Sequence, residues 1–324
     1  MSTLPEQAQT HILFSHTAYQ MAQCFEQLDT GISHQQAWTP GETLAGLPQA
    51  DVLVISGFWD DQFLEHCPRL RYIQSIGAGY DQFPLERLRE RGIFLANATG
   101  VNADAVSQHA MGLALGLIRQ LHSGRDNQSK RFWRSMISNI ADREDDLVGH
   151  TLLIIGLGAI GERLAGLAKA FGMTVIGIKR DTASHGGLAD EVHCPDDLPA
   201  LLERADFVAL CCPLTPETHQ IIDAAALKAM KPSAYLINVA RGGCVHEPAL
   251  LEALTGNWIA GAAIDHFTDE PLPESSPFWT LDNLIITPHT GGETRKYEDN
   301  VIEILRENLA RLWSGETTLR NQIV

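Results

Sequence analysis

Short apolar runs recur along the chain at 11–15 (HILFS), 51–56 (DVLVIS), 70–76 (LRYIQSI) and 92–97 (GIFLAN). They continue at 151–156 (TLLIIG), 174–178 (TVIGI), 206–211 (DFVALC), 234–239 (AYLINV), 259–264 (IAGAAI) and 283–287 (NLIIT). Each is short and nearly continuous in its hydrophobicity, the pattern of a strand buried on both faces. Between most of them lie stretches with helical spacing, such as 199–205 (PALLERA) and 248–256 (PALLEALTG). Strands alternating with helices predict parallel sheets covered by helices. There are too many strands for one small sheet, so two doubly wound α/β domains are expected.

The first boundary falls near 96–106 (ANATGVNADAV), ahead of an apolar helix from 103 to about 121. The segment 122–150 is polar and charged, yet it contains FW at 132–133 and MISNI at 136–140. It reads either as a surface excursion or, as the buried-type residues favour, as an arm packed on a second subunit. A last helix is expected over 293–313, ending at Gly315.

The glycines add chemistry. The stretch 151–181 runs strand, Gly156-x-Gly158-x-x-Gly161, helix, strand. Gly156 suits the tight turn, Gly158 close approach of a pyrophosphate, and Gly161 close helix–strand packing. The helix N-terminus then offers N–H groups to the phosphates. At the end of the second strand, where NAD sites place an acidic residue for the ribose, stand Lys179 and Arg180. They favour NADP by neutralising its 2′-phosphate. Asp181 reaching back for NAD, or a merely solvated strand end, are the alternatives.

Three more strands end in ionisable residues: Arg241 in 238–243 (NVARGG), Asp265 and Glu270 in 263–273 (AIDHFTDEPLP), and His289 in 284–292 (LIITPHTGG). In a doubly wound sheet ligands lie beyond the carboxyl ends of the strands, which would gather a cation, a carboxylate and an imidazole. Such a set can give a proton, steady a charged ring and hold an anionic ligand. His289 is the candidate proton donor, oriented and charged by Glu270. Arg241 is the candidate clamp for the carboxylate and carbonyl. A histidine that merely caps a strand is the plain alternative.

Positions 72–324 resemble the D-isomer-specific 2-hydroxyacid dehydrogenase family. The resemblance rests on 76–82 (IGAGYDQ), 106–115 (VSQHAMGLAL), 156–161 (GLGAIG), 211–222 (CCPLTPETHQII), 237–243 (INVARGG), 262–273 (AAIDHFTDEPLP) and 287–292 (TPHTGG), in order. It implies a discontinuous flavodoxin-like substrate domain over 1–101 and 292–324. It also implies a Rossmann dinucleotide-binding domain over 102–291, an inter-domain cleft, and a homodimer through an arm at about 122–150. It implies substrate contacts from the backbone of Ala78 and Gly79. It further implies cofactor contacts from Ala159 and Ile160 at the pyrophosphate, and from Cys212, Pro213 and Thr218 along the adenosine half. Val239, Asp265, His289 and Gly291 fall at the nicotinamide end. Asp265 as an ordinary loop cap is the alternative. The chain departs from the family's common residues at Gln108 (often Glu), His246 (often Asp) and His266 (often Val). An exposed or core histidine is the expectation for both His246 and His266.

Phe58 and Trp59 follow the strand at 51–56 and either line an apolar substrate pocket or pack on the core. Arg69 and Arg71 read as solvated, which with the absence of a C-terminal extension disfavours a phosphoglycerate-type dehydrogenase. A small 2-oxoacid such as glyoxylate or hydroxypyruvate is the first choice of substrate. An NAD-linked D-2-hydroxyacid or phosphoglycerate-type dehydrogenase is the alternative, and a non-catalytic, dinucleotide-sensing corepressor-like protein is the alternative of another class.

Composition narrows the rest. The 324 residues carry a formal net charge of −16, which argues against nucleic acid as a partner. The six cysteines include no C-x-x-C and no zinc-type spacing with histidine. No metal is therefore expected, and free thiols in a reducing compartment are. The N-terminus has no basic-then-apolar leader and no apolar run long enough to span a membrane, so a cytoplasmic location is the expectation.

Overall fold

The computed structural model describes residues 4–57, 59–80, 82–182 and 187–324. Its described residues divide into two compact units: one up to Val101 together with Thr294–Val324, the other Asn102–Glu293.

In the first unit the strands are β1 (His11–Ser15), β2 (Ser33–Ala37), β3 (Val52–Ile55), β4 (Tyr72–Ser75) and β5 (Phe94–Ala96). They pair in parallel in the order β2-β1-β3-β4-β5, the flavodoxin-like winding. Side chains alternate between two apolar faces. Ile12, Phe14, Val52 and Val54 pack with Val301, Leu305 and Leu309 of the helix Tyr297–Trp313. Leu13, Leu53, Ile55 and Ile73 pack with Leu47, Phe63 and Leu88 on the other side. The helix Tyr297–Trp313 belongs here because its buried positions recur at three- and four-residue intervals, giving one apolar stripe. It stops before Gly315, whose φ of +83° closes the last turn.

The second unit holds β6 (Thr151–Ile155), β7 (Thr174–Ile178), β8 (Glu191–His193), β9 (Phe207–Leu210), β10 (Tyr235–Asn238), β11 (Gly261–Ile264) and β12 (Leu284–Ile286). Their order is β12-β11-β10-β9-β6-β7-β8, all parallel, which is the Rossmann winding extended by a seventh strand. Leu153, Ile155, Val208 and Leu210 face one core, and Leu152, Ile154, Phe207 and Ala209 the other. Each of the larger side chains contributes about 1.5–3 kcal/mol by leaving water. Truncating one, as in Leu153→Ala, costs about 2–5 kcal/mol because the cavity persists.

Two strands carry no apolar run. β2 (SHQQA) and β8 (EVH) are both sheet edges, half open to solvent, and their backbone pairing alone defines them. The polar segment 122–150 also begins with a helix, Leu121–Ser129, in which no residue is buried.

Arg69 is not simply solvated. Its guanidinium binds the buried Asp51 carboxylate at 2.8 Å, while Asp51 also accepts from the His11 N–H at 2.9 Å. Arg71 donates to the carbonyl of Leu70. Asp206 repeats the Asp51 arrangement in the second unit. It accepts from the Thr151 N–H at 2.9 Å and pairs with Lys231 at 2.8 Å. No helix of the described residues is long and apolar enough to cross a membrane.

Candidate active site

The glycine turn sits where the strand order of the second sheet reverses, between β6 and β9. Gly156 has φ +105°, and a Cβ there would lie 2.7 Å from the Cys212 nitrogen. A Cβ at Gly161 would lie 2.2 Å from the Gly156 carbonyl oxygen, so the helix Ala159–Ala170 approaches the strand only because both are glycine. A Cβ at Gly158 would meet nothing within 4 Å. That open space in front of the helix N-terminus, with Ala159, Ile160 and Gly161 in the first turn, fits a dinucleotide pyrophosphate.

Cys212 is buried at the end of the run after β9, and Pro213 is exposed beside it. The Thr218 hydroxyl donates to the Pro213 carbonyl at 2.6 Å and accepts from the Thr215 N–H at 2.7 Å, closing that loop on itself. Lys179 is half-buried after β7, with its N–H on the His193 carbonyl. Arg180 is exposed, and its charge helps hold the Glu217 carboxyl below the usual range, after the hydrogen bonds from Thr215 and the Glu217 backbone. All six cysteines are free thiols. Burial pushes the Cys211 thiol up to about 12, so it is inert at neutral pH.

At the other end of the same sheet edge stand the candidate reacting groups. Arg241 follows β10 and is half-buried, with one guanidinium nitrogen on the Ala240 carbonyl at 2.7 Å. Val239 is buried just before it. Gly242 has no room for a side chain, since a Cβ would fall 2.1 Å from the Phe267 carbonyl carbon. Glu270 Oε1 accepts from the Phe267 N–H at 3.1 Å, and its Oε2 meets His289 Nδ1 at 2.7 Å. The His289 side chain is 50% exposed, so the ring is held at Nδ1 while half of it remains in contact with solvent. Its backbone is left-handed, φ +55°, a conformation that costs a non-glycine residue about 1–3 kcal/mol and persists where surroundings enforce it.

Asp265 enforces it. Its carbonyl accepts the His289 N–H at 2.9 Å. Oδ1 accepts from the Thr287 hydroxyl at 2.5 Å and the Thr290 N–H at 3.1 Å, and Oδ2 from the Gly291 N–H at 3.0 Å. Burial opposes ionisation of this carboxyl. Hydrogen bonds from His109, Thr287 and Gly291 outweigh burial and hold it far below the usual carboxylate range. Asp265 is thus a fixed anion tying down the loop that presents His289.

His109 and Thr287 were not singled out from the sequence. His109 Nε2 lies 3.0 Å from Thr287 Oγ1, which passes the link to Asp265. His266 is a buried histidine, 6% exposed, but its ring packs on that of His289 with centroids 3.8 Å apart. Burial, then the charges of His289 and Arg241, push its pKa down to about 3, so the ring is neutral. His246 is neither core nor merely exposed: its Nδ1 caps the helix Glu247–Thr255 by accepting from the Ala249 N–H at 3.3 Å, as an aspartate would.

In the first unit Ala78 ends a bend after β4 and Gly79 follows it, both half-buried, with the Ala78 carbonyl accepting from Asn97 at 2.6 Å. Trp59 is anchored to Asp61 at 2.8 Å and packs on Phe83 with ring centroids 5.0 Å apart, on the core side of its alternatives. Phe58 lies outside the described residues.

The family model for D-isomer specific 2-hydroxyacid dehydrogenase, NAD binding domain, matches residues 111–291. A D-3-phosphoglycerate dehydrogenase of Methanocaldococcus jannaschii is 37% identical over 285 residues, covering 86% of this chain and 52% of the relative. The chain therefore spans about half the length of that protein. A glyoxylate reductase of Thermococcus litoralis is 35% identical over 286 residues, covering 85% of this chain and 84% of the relative. Among solved structures, an NADPH-dependent glyoxylate/hydroxypyruvate reductase from Sinorhizobium meliloti, in complex with NADP and malonate, superposes with a TM-score of 0.80 at 25% identity. That match covers 98% of this chain and 97% of the other.

Proposed function

The chain belongs to the D-isomer-specific 2-hydroxyacid dehydrogenase family, and from that premise we propose that it reduces a small 2-oxoacid to the D-2-hydroxy acid, with NADPH the favoured donor. Glyoxylate and hydroxypyruvate are the first candidates. The observation that carries the reading is the 2.7 Å bond between His289 Nδ1 and Glu270 Oε2, on a side chain that is half exposed.

The nicotinamide group supplies a hydride to the carbonyl carbon when bound. His289 gives the proton to the carbonyl oxygen as the C=O π pair moves onto it. Glu270 stabilises the charged ring and fixes which nitrogen faces outward. Arg241 binds the substrate carboxylate with its fork of donors and polarises the carbonyl. Asp265, through Thr287, Thr290 and Gly291, keeps the His289 loop in place at the nicotinamide end. In the first unit, the backbone N–H groups of Ala78 and Gly79 are the proposed substrate contacts, and 1–101 with 292–324 are the proposed substrate domain.

Lys179 and Arg180, where an acidic residue would mark NAD, support the NADPH preference, as does the name of the Sinorhizobium structure. The Methanocaldococcus relative favours a second reading, a phosphoglycerate-type dehydrogenase. A cytoplasmic homodimer is part of the proposal. Its support is the six free thiols and an arm whose Trp133 and Met136 are 95% and 99% exposed in the single chain. Light scattering behind size exclusion checks the dimer.

The deciding experiment follows NADPH and NADH absorbance with glyoxylate, hydroxypyruvate and 3-phosphohydroxypyruvate. Preference for NADPH with the first two supports the reading. Faster turnover of the phosphorylated acid replaces it with the second.

A further inference from the structure

Among the described residues one group brings metal-ligating side chains together: His266, Glu270 and His289, whose ligand atoms all lie within 4.8 Å of one another. Spacing along the sequence had pointed to no metal, because His289 joins the other two only in the fold. We propose that these three residues bind a borderline divalent metal ion of the Zn²⁺ class, and that its binding shuts off reduction by occupying the His289 nitrogen that now bonds Glu270.

The donor set comes first. Two imidazoles and a carboxylate suit Zn²⁺, Ni²⁺ or Cu²⁺ and not hard cations such as Mg²⁺, which prefer oxygen. The spacing comes second. Ligands on a tetrahedral ion at about 2.0–2.2 Å sit about 3.4 Å from one another. His266 Nδ1 and Glu270 Oε1 already lie 3.5 Å apart. His289 Nδ1 and Glu270 Oε2, at 2.7 Å, are closer because they share a proton. The ion takes the place of that proton: this contact opens by about 0.7 Å, and ligand atoms now as much as 4.8 Å apart close in around the ion.

The surroundings fit a metal ligand as well. His266 Nε2 faces Asp265 Oδ2 at 3.6 Å. A carboxylate beside the far nitrogen draws the ring proton there and leaves the Nδ1 lone pair directed at the site. Asp265 is itself fixed by the 287–291 loop. His266 is buried, whereas His289 and Glu270 are half open, so an ion enters from solvent and water completes its shell.

Inhibition follows from the imidazole. With Nδ1 metallated, release of the Nε2 proton leaves an imidazolate-type ligand in place of a neutral imidazole. The ring therefore cannot cycle between its two ordinary protonation states. This half of the proposal rests on the role given to His289 above. The binding half does not.

The test is calorimetric titration of the full chain, free of cofactor, with ZnCl₂ and with MgCl₂ as control. Wild type, H266V, H289A and E270Q are compared. The expected result is one Zn²⁺ per wild-type chain beyond any the variants retain, weakened by at least about 10–100-fold in each variant, and no Mg²⁺ binding. E270Q and H289A change half-exposed side chains, so they decide the matter even where H266V folds poorly. In parallel, Zn²⁺ inhibition of NADPH oxidation, normalised to each protein's own uninhibited rate, shifts at least tenfold upward in H266V. Identical isotherms in wild type and all three variants overturn the site. Binding without inhibition overturns only the second half. A protein that turns over no 2-oxoacid yet binds Zn²⁺ as described sinks the functional reading and leaves the site standing.

Discussion

At the amino end of the first sheet, Asp51 accepts from the N–H that opens β1 and pairs with Arg69, just ahead of β4. At the amino end of the second, Asp206 accepts from the N–H that opens β6 and pairs with Lys231, just ahead of β10. Both aspartates precede the strand that neighbours the first strand of their sheet, and both solve one problem: the leading N–H of a central parallel strand has no ladder partner. The carboxyl ends of the sheets differ. The first ends in the bend at Ala78 with Gly79 after it, where backbone is what is offered. The second ends in the glycine turn, Arg241, Glu270 and His289. One winding rule thus yields two kinds of edge. On the proposed reading the amino edges carry stability and the carboxyl edge of the second sheet carries chemistry, where doubly wound sheets place their ligands.

The sharpest way to break this division is H289A. It removes the open imidazole but leaves Asp265 bound to the loop backbone. We expect kcat to fall about 10²–10⁴-fold while NADPH binding, read by nucleotide fluorescence, changes little and urea stability is nearly unmoved. Retained turnover would place the proton donor elsewhere. Next in size is the cofactor edge. Replacing Arg180 with Ala removes a charge-assisted contact to a 2′-phosphate. The ratio of kcat/KM for NADPH over NADH should then drop about 10–100-fold, with the NADH value unchanged or higher. An unchanged ratio would leave Lys179 alone, or Asp181, to read the ribose.

The legibility of the two edges differs for physical reasons. Strands buried on both faces announce themselves as continuous apolar runs, so ten of the twelve strands among the described residues could be read directly. β2 and β8 could not, because an edge strand with solvent on it needs no apolar side chains and is held by its backbone. Arg241, Glu270 and His289 could be singled out as candidates because each stands in the segment after a strand and carries a group that an apolar core would not choose. His109 and Thr287 were not. Each looks ordinary in its own segment, and only the fold brings the ring of one within 3.0 Å of the hydroxyl of the other. His246 and His266 show the same limit: two histidines equally bland in sequence, one a helix cap and the other stacked on His289.

The aspartates give the third test. D51A and D206A should each lower stability by about 1–3 kcal/mol at pH 7, from hydrogen bonds to charged and backbone donors left unmet. The loss should be larger for the more deeply buried Asp51. For Asp206 the pH dependence has a definite sign. Burial disfavours its ionised form, but Lys231 and the Thr151 N–H more than compensate, so its pKa is lowered in the folded state. Below the unfolded value near 3.9, the unfolded chain gains a proton before the native one does. The contribution is therefore complete above that pH and fades as the pH falls through the folded value. Urea midpoints of wild type and D206A should be separated at pH 7 and converge in acid. A constant gap would mean the carboxylate acts through packing alone.

The smallest effect compares two helix caps. Thr39 accepts from the Glu42 N–H at 3.2 Å ahead of the helix Pro40–Gly46, and His246 accepts from the Ala249 N–H at 3.3 Å ahead of Glu247–Thr255. Both helices carry proline in the first turn, which supplies no N–H there, so one side-chain acceptor does much of the capping. T39A should cost about 1 kcal/mol. H246A should cost less, because the longer contact to a ring nitrogen is the weaker bond, and H246D should recover or exceed wild-type stability. Thermal unfolding of the three variants, each against wild type, gives the order. If H246D were less stable than H246A, the imidazole would be serving something other than the cap. Its neighbours on the Arg241 loop would then be the place to look.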